Sequence, residues 1–296
     1  MAVGADATFV LGASTSTFVN KGVGYADKSD GSLQRLDAAW GAAANVAQGL
    51  YARSPVQMVI VGDVAIVSEL FGVYSVSLSG GRVTQLPNVR VLNDGSNRGF
   101  VSDGSAAYAL ANETSANSVL RIAADGSVIK VDVVVPPGLD VGTDFRLDGG
   151  YLYFPTSCVI GDELQGCPEA GVYRVPVTGG TLARVSVVPS TERGEVNSVA
   201  VHGTDVYFTA GSVVYASSVG SSTPARVIAS ASGQLASADD GVVVAGEKVT
   251  FVPKNGGPAR TLSSSDGALP RWEGGWAYWT SRGPDYQPLV CRVPTR

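Results

Sequence analysis

The sequence predicts an all-β fold: a seven-bladed β-propeller of four-stranded antiparallel blades, with six blades as the alternative. Three observations predict it. A strand–turn–strand–strand unit recurs along the 296 residues with a mean length of about 42 residues, the period of a propeller blade. A glycine falls at the same first turn of each unit. Apolar residues alternate with period 2, and no stretch of ten or more residues keeps a helical period.

The first-turn pairs, in chain order, are FVNKG/VGYAD, VIVG/VAIVSE, VSDG/AAYAL, FRLDG/YLYFP, SVAVHG/DVYFT, ADDG/VVVAG and RWEG/WAYWT. Their glycines are Gly22, Gly62, Gly104, Gly149, Gly203, Gly241 and Gly274, spaced 40, 42, 45, 54, 38 and 33 residues apart. The third and fourth strands repeat as well. VYSVSLSGG leads to RVTQLP, VYRVPVTGG to TLARVSVVP, and VTFVPKNGG to PARTLSS. The paired glycines are expected at a two-residue hairpin, where positive φ is required. Ala38–Ala47 is Ala-rich, but Gly41 interrupts it, so it reads as a turn plus an outer strand.

The termini set the expected closure. The last unit stops at VCRVPTR, a third strand with no fourth, while Ala5–Ser14 is a strand left over at the other end. The expected single domain is therefore a closing strand in 1–14, followed by blades at about 15–50, 51–92, 93–138, 139–190, 191–231, 232–265 and 266–296. Closure removes exposed sheet edges. The outer strands carry Arg82, Lys130, Arg184, Arg226 and Arg260, charges that discourage edge-to-edge pairing.

Composition excludes several function classes. Hydrophobic residues are 45%, enough for a large core, and charged residues only 16%. The longest apolar runs, such as Val133–Pro137, are far short of the ~20 residues of a membrane helix. A net charge of −5 argues against nucleic acid and anionic membranes as partners. One histidine and three cysteines exclude most His-based metal sites and any chemistry that needs two histidines.

YFT at 207–209, YWTS at 278–281 and RVPVTGG at 174–180 carry a resemblance across nearly the whole chain. It resembles secreted bacterial β-propellers related to the YWTD, NHL and TolB-like groups. The resemblance implies architecture rather than activity, because such propellers include receptors, scaffolds, lectins and enzymes.

Cys158 and Cys167 flank an acidic insertion, SCVIGDELQGC, in the fourth blade. A disulfide between them would staple the longest loop of the chain. Two unpaired thiols are the alternative; a metal site would lack its third and fourth soft ligands. Cys291 aligns with the packing residues Tyr74 and Tyr173 and is expected to be a buried free thiol. The disulfide and the resemblance together imply an oxidising, extracytoplasmic location, secreted, periplasmic or at the cell surface. The N-terminus MAVGADATF has neither the basic n-region nor the apolar core of a signal peptide.

His202 precedes a first-turn glycine, as Asp103, Asp148, Asp240 and Glu273 do. Asx and His side chains suit that turn, so backbone needs explain all five. The Asp-Gly pairs are likewise turn signals rather than the spaced Asp ladder of a calcium loop. A Ser-His-Asp hydrolase would have to use His202, which belongs to the turn end opposite the inter-blade loops.

A propeller presents variable loops on a rigid frame. The candidate ligand-binding residues are Tyr51, Arg53, Asn97, Arg98, Arg193, Glu195 and Arg271 in the inter-blade loops, with Arg282, Asp285 and Tyr286 in a loop within the last blade. Asp140 and Asp144 stand in the inter-blade loop before Gly149. This mix suits a polar small molecule, a glycan or a protein partner. The expectation is a monomeric, non-catalytic binding or scaffold propeller with no cofactor, no catalytic set and no metal. The alternative is a carbohydrate-active enzyme or lectin using loop-face carboxylates and aromatics.

Overall fold

In the computed structural model every described element is a strand. The described residues are 2–3, 7–12, 19–20, 23–24, 32–37, 43–48, 57–69, 72–91, 99–111, 118–158, 169–189, 195–282 and 288–295. Two compact units divide the chain, Met1–Val131 and Asp132–Arg296.

The first unit runs β1 (Ala2–Val3), β2 (Ala7–Gly12), β3 (Val19–Asn20), β4 (Val23–Gly24), β5 (Ser32–Asp37), β6 (Ala43–Gln48), β7 (Gln57–Val61), β8 (Val64–Glu69), β9 (Gly72–Ser77), β10 (Thr84–Leu86), β11 (Phe100–Ser102), β12 (Ala106–Leu110), β13 (Ser118–Ala123) and into β14 (Val128–Val134). Its sheets are β1-β2-β5-β6, β10-β9-β8-β7 and β11-β12-β13-β14, with β3 and β4 as a separate pair. Val59, Val61, Ile66 and Val73 of one sheet pack against Phe100, Ala107, Ala109 and Ile122 of the next. Backbone and side chain tie the two sheets together at the turn end: Gly62 N–H donates to Gly104 O at 2.8 Å, and Ser102 Oγ to Ile60 O at 2.7 Å.

The second unit continues with β15 (Leu139–Val141), β16 (Arg146–Asp148), β17 (Tyr151–Cys158), β18 (Gly171–Pro176), β19 (Gly180–Thr181), β20 (Ala183–Val187), β21 (Val196–His202), β22 (Asp205–Ala210), β23 (Val213–Ser218), β24 (Arg226–Ser230), β25 (Gln234–Ala238), β26 (Gly241–Ala245), β27 (Val249–Pro253), β28 (Arg260–Ser263), β29 (Ala268–Glu273), β30 (Trp276–Arg282) and β31 (Pro288–Pro294). Neighbouring strands run antiparallel, as in a blade, except that the short β19 pairs parallel with β14; β17 takes both β15 and β16 on one edge. The burial pattern follows from stacking sheet on sheet. Middle strands are covered on both faces, so β22 and β26 are buried almost throughout. The outer strand β24 is largely exposed, Ile228 alone among its residues being buried, and Arg184, Arg226 and Arg260 stand exposed on outer strands as their edge role requires. Phe208 and its cross-strand partner Tyr215 stack at 5.2 Å on one face of their sheet, and each such buried ring contributes roughly 1.5–3 kcal/mol.

The fold is an all-β propeller, and the six-bladed alternative replaces the seven-bladed expectation. Among the described residues, six sheets carry four or more strands, while β29-β30-β31 carries three. The N-terminal strand does not complete the last sheet. It is β2, and it lies between β1 and β5, in register from Ala7↔Asp37 to Gly12↔Ser32. Its whole length is already paired with β5, and β1 takes its other edge at Thr8 and Phe9. The expected first-turn pair around Gly22 forms only the two-stranded β3-β4, Gly22 itself lying outside the described residues.

Two turn assignments also change. Gly62, Gly104, Gly149, Gly203 and Gly274 have φ between 56° and 83°, as expected of the first turn. Gly241 does not occupy that position. Ala238 pairs with Gly241, so Asp239 and Asp240 make the turn and Gly241 opens β26. There a Cβ would lie 2.2 Å from Val252 O, so glycine is required by close packing of backbone rather than by φ. The paired glycines lie in connections longer than two residues. Gly80, Gly179 and Gly256 close turns onto Ser77, Pro176 and Pro253 at 2.8–3.1 Å, and several residues follow before the outer strand pairs.

Candidate functional site

The polar centre of the second unit starts with three consecutive residues, Asp144-Phe145-Arg146. Phe145 is fully buried and stacks on Phe154 at 5.2 Å. With that ring as anchor, period 2 sends the two charged neighbours to the opposite side together. Asp144, 2% exposed, forms an ion pair through Oδ1 with Arg146 Nη1. Its Oδ2 accepts the hydroxyl of Ser198.

The network then crosses successive first strands. Ser198, on β21, also accepts the N–H of Leu235 on β25 at 3.0 Å. Arg146 donates through Nη2 to Leu235 O at 3.1 Å and through Nη1 to Phe145 O at 3.0 Å. Gln234 Oε1 accepts the N–H of Leu269 on β29. Four first strands, β16, β21, β25 and β29, are thereby laced at the end where the inter-blade segments arrive. A carboxylate so deep in the protein needs this pairing, since an unpaired buried charge costs several kcal/mol.

Arg271 joins the cluster from β29. Burial pulls its guanidinium down to about 10; the like charge of Arg146 adds to this, and Asp144 opposes it. Arg146 holds the buried carboxylate directly, and Arg271 acts on this pair through its charge. Sequence reasoning placed Arg271 in a loop; it lies within a strand, opposite Tyr278, where the charges of Arg146 and Asp144 act on it. Asp144 was legible only as a loop acid. Arg146 and Ser198 were not distinguished at all, although the charge–aromatic–charge triplet around Phe145 was the available signal.

Of the other candidates, Glu195 is described and exposed just before β21. Arg282 ends β30, but its side chain, together with Tyr51, Arg53, Asn97, Arg98, Arg193, Asp285 and Tyr286, lies outside the described residues. Cys158 ends β17 and Cys167 lies outside the described residues; Cys291 is free and partly buried, and burial pushes its thiol pKa up.

His202 sits at the far end of β21, at the first turn. Its Nε2 is 3.7 Å from Asp239 Oδ1, half-exposed, and its ring meets Trp272 edge-on at 6.4 Å. It is thus separated by the length of β21 from the Ser198–Asp144 pair. Among the described residues no group of three or more His, Cys, Asp and Glu side chains could hold a metal ion, and no helix is long and apolar enough to cross a membrane.

No family profile and no curated protein matches the chain. Solved structures do. A puromycin-hydrolysing peptidase of Mycobacterium tuberculosis is similar at TM-score 0.64 and 14% identity over 99% of this chain, which spans half the length of that one. YCF48 bound to D1 peptide is similar at TM-score 0.57 and 9% identity, over 98% of this chain and 97% of that one. PorZ of Porphyromonas gingivalis, a surface component of the type-IX secretion system, is similar at TM-score 0.57 and 15% identity, over 90% of this chain and 34% of that one. At such identities the likeness establishes the fold, a β-propeller, and stops there.

Proposed function

We propose that this chain is a non-catalytic, extracytoplasmic binding or scaffold propeller that takes a protein partner at the end where the inter-blade loops gather. The observation that carries the reading is the laced cluster beneath that end. Asp144, Arg146 and Ser198 weld the first strands into a rigid base, and Arg271 adds a second positive charge beside the single buried carboxylate. A rigid base with excess positive charge favours an acidic group on the partner, while loop residues supply specificity. A propeller of similar fold, YCF48, is solved bound to D1 peptide, and PorZ is a surface component; both support the reading by analogy. The Cys158–Cys167 disulfide belongs to the same proposal, as a staple of the loop between β17 and β18 suited to an oxidising compartment.

The test is an array of acidic, neutral and basic peptides, read with the folded wild type and with Arg193→Ala and Tyr286→Ala. Acidic peptides should be retained by the wild type and weakened by both substitutions, with melting temperatures unchanged. Turnover of a glycoside or a peptide by the purified protein would overturn the non-catalytic reading. Retention indifferent to peptide charge would overturn the role given to the two guanidiniums.

A further inference from the structure

The second unit has a cleft of about 280 Å³ at the opposite end from the laced cluster, and no part of the binding reading uses it. Asp205, Tyr207, Ser217, Ser218, Ser221, Thr223, Arg226 and Lys254 are among its walls. It lies between the β22-β23-β24 face and the turn that follows β27. We infer that this cleft is a binding site for a small neutral polyhydroxylated ligand, one sugar unit in size.

The walls are fixed before any ligand arrives. Ser221 N–H closes a turn onto Ser218 O at 3.0 Å, and Thr223 N–H donates to Ser221 Oγ at 3.1 Å. The Ser221 and Thr223 hydroxyls stand 2.6 Å apart. On the other side, Lys254 N–H donates to Asp240 O at 2.9 Å, and Arg226 donates through Nη2 to Lys254 O. A ligand therefore pays little ordering entropy in the protein.

The charges balance, which separates a neutral ligand from an ion. Lys254 Nζ lies 3.5 Å from Asp205 Oδ2. At the Tyr207 phenol the negative charges of Asp205 and Asp240 are opposed by Arg226. Asp205 in the wall, paired with Lys254, and Asp240 outside the lining offset the charges of Lys254 and Arg226, so little excess field is left to select an anion or a cation. What the cleft offers in quantity is donors and acceptors side by side: four Ser/Thr hydroxyls, a carboxylate, an ammonium and a phenol at the floor. Each hydroxyl of a polyol both donates and accepts, and such a wall can satisfy both. The volume matches the small end of ligand pockets.

The experiment is a calorimetric titration of the full chain with D-glucose, D-galactose and D-mannose, and separately with inorganic phosphate. At least one sugar should bind saturably. Asp205→Asn and Thr223→Val should each weaken it about tenfold, the loss of one good hydrogen bond, with the melting temperature retained. Absence of saturable binding by all three sugars overturns the inference, as does binding that both variants leave unchanged. Saturable phosphate binding overturns the charge-balance argument. The peptide reading of the loop end survives any of these results, because it shares no residue with this cleft.

Discussion

Asp144→Ala tests the laced cluster most directly. The substitution removes the single buried carboxylate and leaves the neighbouring charges of Arg146 and Arg271 without it. Breaking a buried ion pair by deleting one partner costs about 3–5 kcal/mol; Arg146 keeps 19% of its side chain exposed, which points to the lower end, about 3 kcal/mol. An unfolding entropy of about 2.1 cal/mol/K per residue over 296 residues converts this to a fall in Tm of roughly 5 °C. Ser198→Ala removes one charge-assisted hydrogen bond and an acceptor of Leu235 N–H, so it should cost about 1–2 kcal/mol. The double variant should cost clearly less than the sum, because Ser198 has lost its acceptor once Asp144 is gone. Differential scanning calorimetry of the four proteins at neutral pH gives the cycle. A Tm for Asp144→Ala within about 1 °C of wild type, or strict additivity in the double variant, would refute the reasoning.

Gly241→Ala should destabilise by more than about 2 kcal/mol, because its Cβ meets Val252 O at 2.2 Å; Gly203→Asn, with φ +59° and open space around it, should cost well under 1 kcal/mol, and denaturant midpoints distinguish the two. Burial, then Asp205, raise the Tyr207 phenol to about 12, so the unfolded chain ionises first and stability should fall as pH rises from 10 to about 12; Tyr207→Phe should remove that component of the pH–stability profile. The Asp103 carboxyl is pushed up by burial but held below its usual value overall by the Ser105 hydroxyl and the N–H groups of Ala106 and Ser105. Stability tied to it is present above pH 3.8 and fades as pH falls through the lower folded value, a dependence that Asp103→Asn should flatten in acid titrations followed by circular dichroism. Thiol counting under denaturing, non-reducing conditions should find one reactive thiol, Cys291; three would refute the Cys158–Cys167 bond.

What the sequence determined by itself was local. Alternation with period 2 and a glycine at each first turn specify strands and hairpins, because side-chain facing and positive φ are properties of a few adjacent residues. Five of the first-turn glycines adopt the φ that pattern requires. The exposed cations of the outer strands were legible for the same reason. Tertiary structure alone decided the partners. Nothing within Ala7–Gly12 states whether it pairs with the last sheet or with Ser32–Asp37, since either edge offers the same row of N–H and C=O groups. Gly241 and the turn glycines look alike in sequence; only the approach of Val252 O separates a packing glycine from a turning one. Asp144, Ser198, Leu235 and Arg271 stand up to 127 residues apart and became one cluster because stacked blades bring their first strands side by side. A buried charge finds its partner through that stacking, a long-range packing outcome that no local pattern encodes.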